Sequence, residues 1–199
     1  MGKKFEPIDV GDNITILPPW EKEKTGRVNL IIDPGMAFGT GHHETTKTCL
    51  SLIKRLSKDM PEKEGFLDFG TGTGVLAIAA IKLGFKRAVC LDIDSLAVDA
   101  AKRNAELNGI ENIDVIEGSI DRADGTFDFI AANLLSEILI QNAVSIKQHL
   151  NTCGIAMLSG MIVGQETDVI KAMESNGLRL KDKTIDGRWI TLIVGRHAQ

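Results

Sequence analysis

The fold of this chain is decided by the stretch Phe66-Leu67-Asp68-Phe69-Gly70-Thr71-Gly72-Thr73-Gly74. Its first four residues predict a short buried strand, and its three alternate glycines predict a tight turn. An apolar helix from Val75 to Leu83 follows directly. Glycines let the backbone take conformations closed to other residues and approach a ligand closely. Because the N–H groups at the start of a helix can face a polar or anionic group, the turn is predicted to bind a ligand.

An acidic residue follows the next predicted strand. This strand, Ala88 to Leu91, ends at Asp92, eighteen residues after Gly74. A glycine turn after one strand and an acid after the next is the layout of a nucleoside-binding βαβ unit, in which the acid accepts hydrogen bonds from ribose hydroxyls. The run Gly72-Thr73-Gly74-Val75-Leu76-Ala77 also fits the dinucleotide pattern G-x-G-x-x-A, so these residues alone leave a nicotinamide cofactor open.

The composition is that of an ordinary globular protein. The 199 residues are 43% hydrophobic and 25% charged, enough for one domain with a real core, with or without a short arm. A net charge of −4 argues against direct nucleic-acid binding, which needs a basic field. No signal peptide and no apolar run of membrane-spanning length is present, so we expect a cytoplasmic protein without membrane association. The three scattered cysteines indicate reduced core thiols, and the adjacent His42 and His43 lack a third partner for a metal site.

From Phe66 onward, predicted strands and helices alternate, which favours a parallel sheet covered by helices on both faces. An Asp186-Gly187 turn joins the last two strands as a hairpin, which predicts an antiparallel strand at one edge. The sequence therefore predicts a doubly wound, mostly parallel α/β sheet of seven strands. The predicted strands are 66–69, 87–93, 113–116, 127–132, 155–158, 178–184 and 189–194. The predicted helices are 44–56, 75–83, 95–108 with Ser95 as its cap, 137–150 and 166–175.

Residues 1–32 are predicted to form an N-terminal arm with short strands, and residues 33–199 the main domain. Residues 1–12 are polar and indicate a loose segment, whereas 13–17 and 28–32 have strand patterns.

The segment 33–46 is unusual for a connection. It holds three glycines, a proline and two histidines, with the apolar Met36 and Phe38 among them. A plain surface loop does not need buried aromatic residues, so we expect this segment to pack over a ligand. Ligands of such sheets bind outside the carboxyl ends of the strands. We expect the segment, the glycine turn, Asp92 and Asn133, which follows the fourth strand, to meet there.

Several motifs carry a family resemblance. The run Asp68-Phe69-Gly70-Thr71-Gly72-Thr73-Gly74 resembles the first motif of Rossmann-like S-adenosylmethionine-dependent methyltransferases, and Asp92-Ile93-Asp94 resembles their acidic motif. Two further stretches are closely similar to the ribosomal protein L11 methyltransferase family. They are Asp33-Pro34-Gly35-Met36-Ala37-Phe38-Gly39-Thr40-Gly41-His42-His43-Glu44-Thr45-Thr46 and Ala132-Asn133-Leu134-Leu135. The resemblance extends from about Phe5 to Arg196.

This resemblance implies a seven-stranded Rossmann-like methyltransferase sheet with S-adenosyl-L-methionine as cofactor. It also implies N-methylation of amino groups, on lysine or at an N-terminus, in a protein such as ribosomal protein L11. The cofactor contacts that it implies are Thr46, Gly70, Asp92 and Asn133, with Phe38 and Gly72 beside the cofactor and Asp68 within the binding motif. Our hypothesis for catalysis is that Asn133 orients the acceptor amine.

Alternatives remain at this point. The acceptor can be a small molecule on the same fold, the chain can be a nicotinamide-dependent oxidoreductase, or it can be a cofactor-holding module without turnover. Full members of the family carry a separate amino-terminal docking domain, and this chain begins about where that domain ends. The expectation is therefore that the docking domain is lacking and that the acceptor is not identified by the sequence.

Overall fold

Three short strands near the N-terminus form a small sheet. In the computed structural model, which describes residues 5–35 and 43–196, they are β1 (Ile8–Val10), β2 (Ile14–Leu17) and β3 (Val28–Ile31). β1 is antiparallel to β2, and β2 is parallel to β3. The prediction of a loose segment is wrong for β1. The sequence around it is polar, but Val10 is buried in the main core and Arg27 donates to the carbonyl oxygens of Gly11 and Ile14.

The remaining strands form the sheet that dominates the molecule. They are β4 (Gly65–Phe69), β5 (Arg87–Asp92), β6 (Ile113–Glu117), β7 (Phe127–Asn133), β8 (Leu150–Ile162), β9 (Leu178–Asp186) and β10 (Trp189–Arg196). The helices are α1 (Glu44–Lys58), α2 (Val75–Lys82), α3 (Ser95–Leu107), α4 (Ser136–Gln141), α5 (Ala143–His149) and α6 (Glu166–Ser175). One 3-10 turn, Ile120–Arg122, lies between β6 and β7.

The strand order in this sheet is β6-β5-β4-β7-β8-β10-β9. The strands from β6 to β8 are all parallel to their neighbours, and β10 is antiparallel to both β8 and β9. The predicted fold class is confirmed. The antiparallel strand lies second from the edge, because the β9–β10 hairpin folds back and inserts its second strand beside β8.

Two predicted boundaries differ from the structure. The helix predicted over 137–150 is two helices, α4 and α5, separated at Asn142, whose φ of −103° and ψ of 13° lie outside the helical range. β8 begins at Leu150, five residues before its predicted start, because the polar residues Asn151 and Thr152 hid the strand pattern.

The core lies on both faces of the sheet. On one face, α1 and α2 pack with the small sheet, so that Ile14 and Leu30 share a cluster with Leu50 and Phe66. On the other face, α4 to α6 cover a second cluster around Leu67 and Leu158. The small sheet therefore shares the main core, although the domain boundary at residue 33 stays a prediction.

The sequence also predicted that the cysteines are reduced core thiols and that no segment spans a membrane. Cys49 and Cys90 are buried free thiols, as the sequence indicated, whereas Cys153 is exposed, so that the prediction of a core thiol is wrong there. Within ranges 5–35 and 43–196, no helix has the length and apolar character needed to cross a bilayer.

Asn108, just after α3, completes the backbone pairing of β3. Its Oδ1 accepts from the backbone N–H of Ile31 at 3.0 Å, and its Nδ2 donates to the carbonyl of Ile31 at 2.7 Å. The side-chain amide thus replaces a neighbouring strand at this edge. We expect Asn108→Ala to lower the free energy of unfolding by roughly 1–3 kcal/mol, because two backbone groups lose their partner.

A matched control is Asn112→Ala, since the exposed Asn112 amide also donates to a backbone carbonyl, that of Lys86. There water replaces the lost bond, and the change should stay within about 0.5 kcal/mol. Urea denaturation followed by circular dichroism measures both variants. Equal losses would show that the Asn108 amide is no more important than a surface contact.

Candidate active site

The glycine turn after β4 is fixed by hydrogen bonds to the end of β5. The N–H groups of Gly70 and Thr71 both donate to the carbonyl of Leu91, at 2.8 and 2.9 Å. Gly70, Gly72 and Gly74 have φ values of 77°, 54° and 80°. Since this left-handed region favours glycine, the turn needs all three of them.

Asp92 links the turn to β5. Its Oδ2 accepts from the N–H of Gly72 at 2.9 Å, and its Oδ1 accepts from the N–H of Asp94 at 3.1 Å. The carboxylate is half-buried and is held by backbone groups at the carboxyl edge of the sheet. Asp94 in turn caps α3 by accepting from the N–H of Leu96, so the predicted cap at Ser95 is wrong by one residue.

Asp68 lies beneath the turn and is almost completely buried. Its Oδ2 accepts from the Thr71 hydroxyl at 2.8 Å and from the N–H of Ala77 at 3.3 Å. Burial, which is the largest cause, and the neighbouring charge of Asp92 together raise the pKa of Asp68 to about 7, against the lowering by the two hydrogen bonds. The residue therefore braces the turn against the start of α2 from inside the protein.

The residues that follow Asn133, the last residue of β7, pack against the glycine turn. Since β4 and β7 are neighbours, their carboxyl ends are adjacent. A Cβ on Gly70 would lie 2.4 Å from Cδ2 of Leu134. On the other side, a Cβ on Gly160 of β8 would lie 2.6 Å from the carbonyl oxygen of Leu134. Two glycines thus make room for the residue that follows Asn133.

Asn133 is held by the start of α1. Its Nδ2 donates to Oγ1 of the buried Thr45 at 3.2 Å. Thr45 Oγ1 lies 2.7 Å from Nδ1 of His43, which caps α1. The His43 ring makes an edge contact with Trp189 at the start of β10, with 4.7 Å between ring centroids. The carboxyl ends of β7 and β8, the start of α1 and the hairpin therefore meet around Asn133.

Thr46 provides a test of whether a ligand fits this place. It is buried, and within the part of the chain that the structure describes its Oγ1 has no hydrogen-bond partner. Buried hydroxyls without a partner are uncommon in folded proteins. An orphaned hydroxyl next to Thr45, at the edge that also carries the glycine turn and Asp92, fits a polar ligand bound there.

The predicted site residues thus lie along one edge of the sheet. Gly70, Gly72, Asp92 and Asn133 lie at the ends of β4, β5 and β7, and Thr46 lies at the start of α1 beside them. Asp68 is under the turn and is not exposed to a ligand. Phe38 lies outside the described residues, as does all of the segment 36–42. The roles of all these residues in cofactor binding stay predictions.

Sequence reasoning missed three residues that hold the site together. They are Thr45, Gly160 and Asn104, whose buried amide accepts from the N–H of Asp33 at 2.9 Å and donates to the carbonyl of Thr73 at 2.8 Å. Thr45 belongs to a segment that the sequence did single out. Asn104 and Gly160 gave no signal, because their importance comes from contacts with residues distant in the chain.

No three His, Cys, Asp or Glu side chains among residues 5–35 and 43–196 are grouped so as to hold a metal ion. The strand order and the glycine turn bonded to an acid on the next strand define the class: a Rossmann-like methyltransferase fold. Comparison with known proteins then identifies the family. The chain matches the ribosomal protein L11 methyltransferase (PrmA) family over residues 1–197 and belongs to it.

Relatives and solved structures agree with this assignment. A ribosomal protein L11 methyltransferase from Clostridium perfringens is 40% identical over 194 residues, which are 96% of this chain and 61% of that protein. The crystal structure of a ribosomal protein L11 methylase from Lactobacillus delbrueckii subsp. bulgaricus is 35% identical, with a TM-score of 0.89, and the match covers 98% of this chain and all of that one. The chain thus spans about three fifths of the length of the curated relatives that it matches.

An S-adenosylmethionine-dependent methyltransferase from Clostridium acetobutylicum shares the fold, with a TM-score of 0.66 at 14% identity. This likeness shows the fold, whereas the predicted cofactor, S-adenosylmethionine, is supported by the match to the methyltransferase family.

The contact between Gly70 and Leu134 can be tested by a double-mutant cycle. Gly70→Ala should destabilise the protein through both its φ of 77° and the clash with Leu134. Adding Leu134→Ala removes the clash but not the backbone strain. We expect the double variant to be more stable than the sum of the two single changes predicts, by about 1 kcal/mol or more, as measured by urea denaturation.

Gly84→Ala is the matched control for this cycle, since Gly84 also has a positive φ, 104°, but its Cβ would lie 3.9 Å from the nearest side-chain atom. Combined with Leu134→Ala it should be additive. Additivity in the Gly70 pair as well would contradict the contact.

The buried carboxyl of Asp68 should make stability depend on pH. Its pKa is about 7 in the folded protein, against roughly 3.9 in an unfolded chain. Between these values the folded state binds a proton that the unfolded state lacks. This contribution to stability is complete below about pH 4, is lost as the pH rises toward 7, and is constant above 7.

Asp68→Asn removes the titrating group and keeps an oxygen for Thr71 and Ala77. The difference in unfolding free energy between wild type and Asp68→Asn should change by up to about 1.4 kcal/mol per pH unit across this window. Because both proteins share the other carboxyl groups, taking the difference cancels the pH dependence that those groups contribute. A pH-independent difference in chemical denaturation would show that Asp68 is charged in the folded protein at neutral pH.

Proposed function

We propose that this protein is an S-adenosylmethionine-dependent methyltransferase that N-methylates amino groups, on lysine or at an N-terminus, of a protein, with ribosomal protein L11 as the substrate. The observation that carries the proposal is the match to the family over residues 1–197, in a chain whose glycine turn and Asp92 are joined by a hydrogen bond at the carboxyl edge of the sheet. A ribosomal-protein substrate also favours a cytoplasmic location.

The cofactor would be held mainly by the two ends of the βαβ unit. Asp92, kept in place by the N–H groups of Gly72 and Asp94, accepts hydrogen bonds from ribose hydroxyls. Gly70 and Gly72 let the backbone approach the ligand closely. Thr46 supplies a buried hydroxyl that has no partner among the described residues. When bound, S-adenosylmethionine supplies an electrophilic methyl group, which an amine lone pair takes by forming the N–C bond as the C–S bond breaks toward sulfur.

The protein's own task is then to hold the acceptor. A direct displacement needs no nucleophilic side chain, so the contribution of the site is position and electrostatics. The acceptor amine must be neutral, although lysine has a pKa of roughly 10.4 in water. Burial next to a positive charge lowers the pKa of such an amine. Asn133, at the end of β7, is the side chain that we assign to its orientation.

The nicotinamide alternative that the glycine turn left open receives no support from the family match. Isothermal titration calorimetry distinguishes the two: S-adenosylhomocysteine should bind and NAD should not. Asp92→Ala should weaken that binding strongly. NAD binding without S-adenosylhomocysteine binding would overturn the proposal.

The acceptor is identified by methyl-labelled S-adenosylmethionine in a cell extract depleted of this protein. Label in one small basic protein that mass spectrometry identifies as L11 is the expected result. Label confined to small molecules would contradict the protein substrate, and cofactor binding without any transfer would contradict catalysis by this chain alone.

Asn133→Ala tests the assigned role of the amide. Without the side-chain oxygen, the amine is no longer held in line with the methyl group, and we expect kcat to fall on the order of 100-fold, as for other misplaced reactants. Calorimetry with S-adenosylhomocysteine separates this effect from a loss of cofactor affinity. Transfer at the wild-type rate with normal cofactor binding would exclude the orienting role.

A further inference from the structure

The start of α1 determines which end of the Asn133 amide faces the acceptor. Its residues form a short hydrogen-bonded chain in which the direction of each bond follows from the groups present. The backbone N–H of Thr45 lies 3.3 Å from Nδ1 of His43. A backbone N–H can only donate, so we assign Nδ1 of His43 as the acceptor and place the ring proton on the other nitrogen, Nε2.

The second bond follows from the first. Thr45 Oγ1 lies 2.7 Å from the same Nδ1. Because Nδ1 has no proton to give, the hydroxyl of Thr45 donates its hydrogen to it. The lone pairs of Thr45 Oγ1 are then left to accept, and the partner that they meet is the side-chain amide of Asn133 at 3.2 Å.

The third bond fixes the amide. Only the NH₂ end of Asn133 can donate to Thr45 Oγ1, so Nδ2 faces Thr45 and Oδ1 faces the opposite side. Within ranges 5–35 and 43–196, no group donates a hydrogen bond to Oδ1 of Asn133. Thr45 itself is only 1% exposed, so water cannot take the place of its hydroxyl as the partner of the Asn133 amide.

The direction of this amide matters for methyl transfer to nitrogen. A neutral primary amine has one N–C bond, two N–H bonds and a single lone pair. The lone pair must attack the methyl carbon. An oxygen accepts an N–H and leaves the lone pair available. An NH₂ in the same place would donate to the lone pair itself and block the attack.

We infer that Thr45 is a positioning residue that holds the Asn133 amide with Oδ1 toward the acceptor amine and Nδ2 away from it. The inference rests on the proposed function and deepens it. It assigns the orientation of the amide to a hydroxyl on a different secondary-structure element, rather than to Asn133 alone. It also means that the site selects amine acceptors, whose N–H groups need an oxygen, by the polarity of one hydrogen-bonded chain.

Two substitutions separate the hydroxyl from the packing of the side chain. Thr45→Val keeps the shape and burial but removes the hydroxyl, so that the amide of Asn133 loses its anchor. Thr45→Ser keeps the hydroxyl and removes a methyl group. We expect Thr45→Val to lower kcat about 10- to 100-fold with little change in the Kd of S-adenosylhomocysteine, and Thr45→Ser to stay within about threefold of wild type.

A readout that does not depend on turnover is the side-chain amide signal of Asn133 in ¹H–¹⁵N spectra, assigned by its loss in Asn133→Ala. In Thr45→Val this signal should shift and lose its protection from exchange with solvent, whereas in Thr45→Ser it should stay close to the wild-type position. An unchanged signal in Thr45→Val would overturn the inference, and so would equal impairment of both variants.

The two proposals fail in different ways. If the wild-type protein binds S-adenosylhomocysteine but methylates no amine, the proposed function fails, while the amide signal still decides whether Thr45 holds Asn133. If the wild type is active, the double variant Thr45→Val with Asn133→Ala should be no slower than Asn133→Ala alone, since both changes remove the same interaction. Additive losses would show that Thr45 acts elsewhere.

Discussion

The contact between Gly70 and Leu134 is the constraint on which the site depends. β4 lies between β5 and β7, so the strand order reverses direction at this point, where open α/β sheets bind their ligands. The turn after β4 is tied to β5, and the loop after β7 is tied to β8 by the bond from Leu134 N–H to the carbonyl of Ser159. The missing side chain of Gly70 lets the two halves meet, so the glycine turn that we propose as part of the cofactor site lies beside Asn133, to which we assign the orientation of the acceptor.

Much of this arrangement could be predicted from the sequence because its signals are local. The glycine turn, Asp92 and the alternation of strands and helices each occupy a few consecutive residues. Asn133 was expected at this edge because it follows the fourth strand, but its role and that of Thr46 as cofactor contacts came only from resemblance to a family, since an asparagine after a strand and a threonine at a helix start are common. The roles of Thr45, Gly160 and Asn104 arise from contacts between distant segments, which no periodic pattern encodes. The same holds for β1, whose three residues are stabilised by Arg27 and by burial of Val10.

The two carboxyl groups near the glycine turn, those of Asp68 and Asp92, have different surroundings. Asp68 lies near the end of β4 and Asp92 at the end of the neighbouring β5. The Asp68 carboxyl is buried and braces α2, whereas the Asp92 carboxyl is half-exposed and held by backbone N–H groups. Burial raises the pKa of Asp68 toward neutrality, so its charge is suppressed next to Asp92. The turn can therefore present one negative group to a ligand without the repulsion of two adjacent charges.

The insertion of β10 between β8 and β9 has a consequence for how the chain acquires its shape during synthesis. A polypeptide leaves the ribosome from its N-terminus, and β8 emerges well before the strand that will cover its free edge. Until β10 arrives, the edge of β8 that faces away from β7 is unpaired over residues 155–162, which β10 later covers. Trp189, which contacts His43 at the start of α1, belongs to that late strand. The contacts around Asn133 are thus completed last, so a nascent chain can fold the glycine turn against β5 before the surroundings of Asn133 are in place.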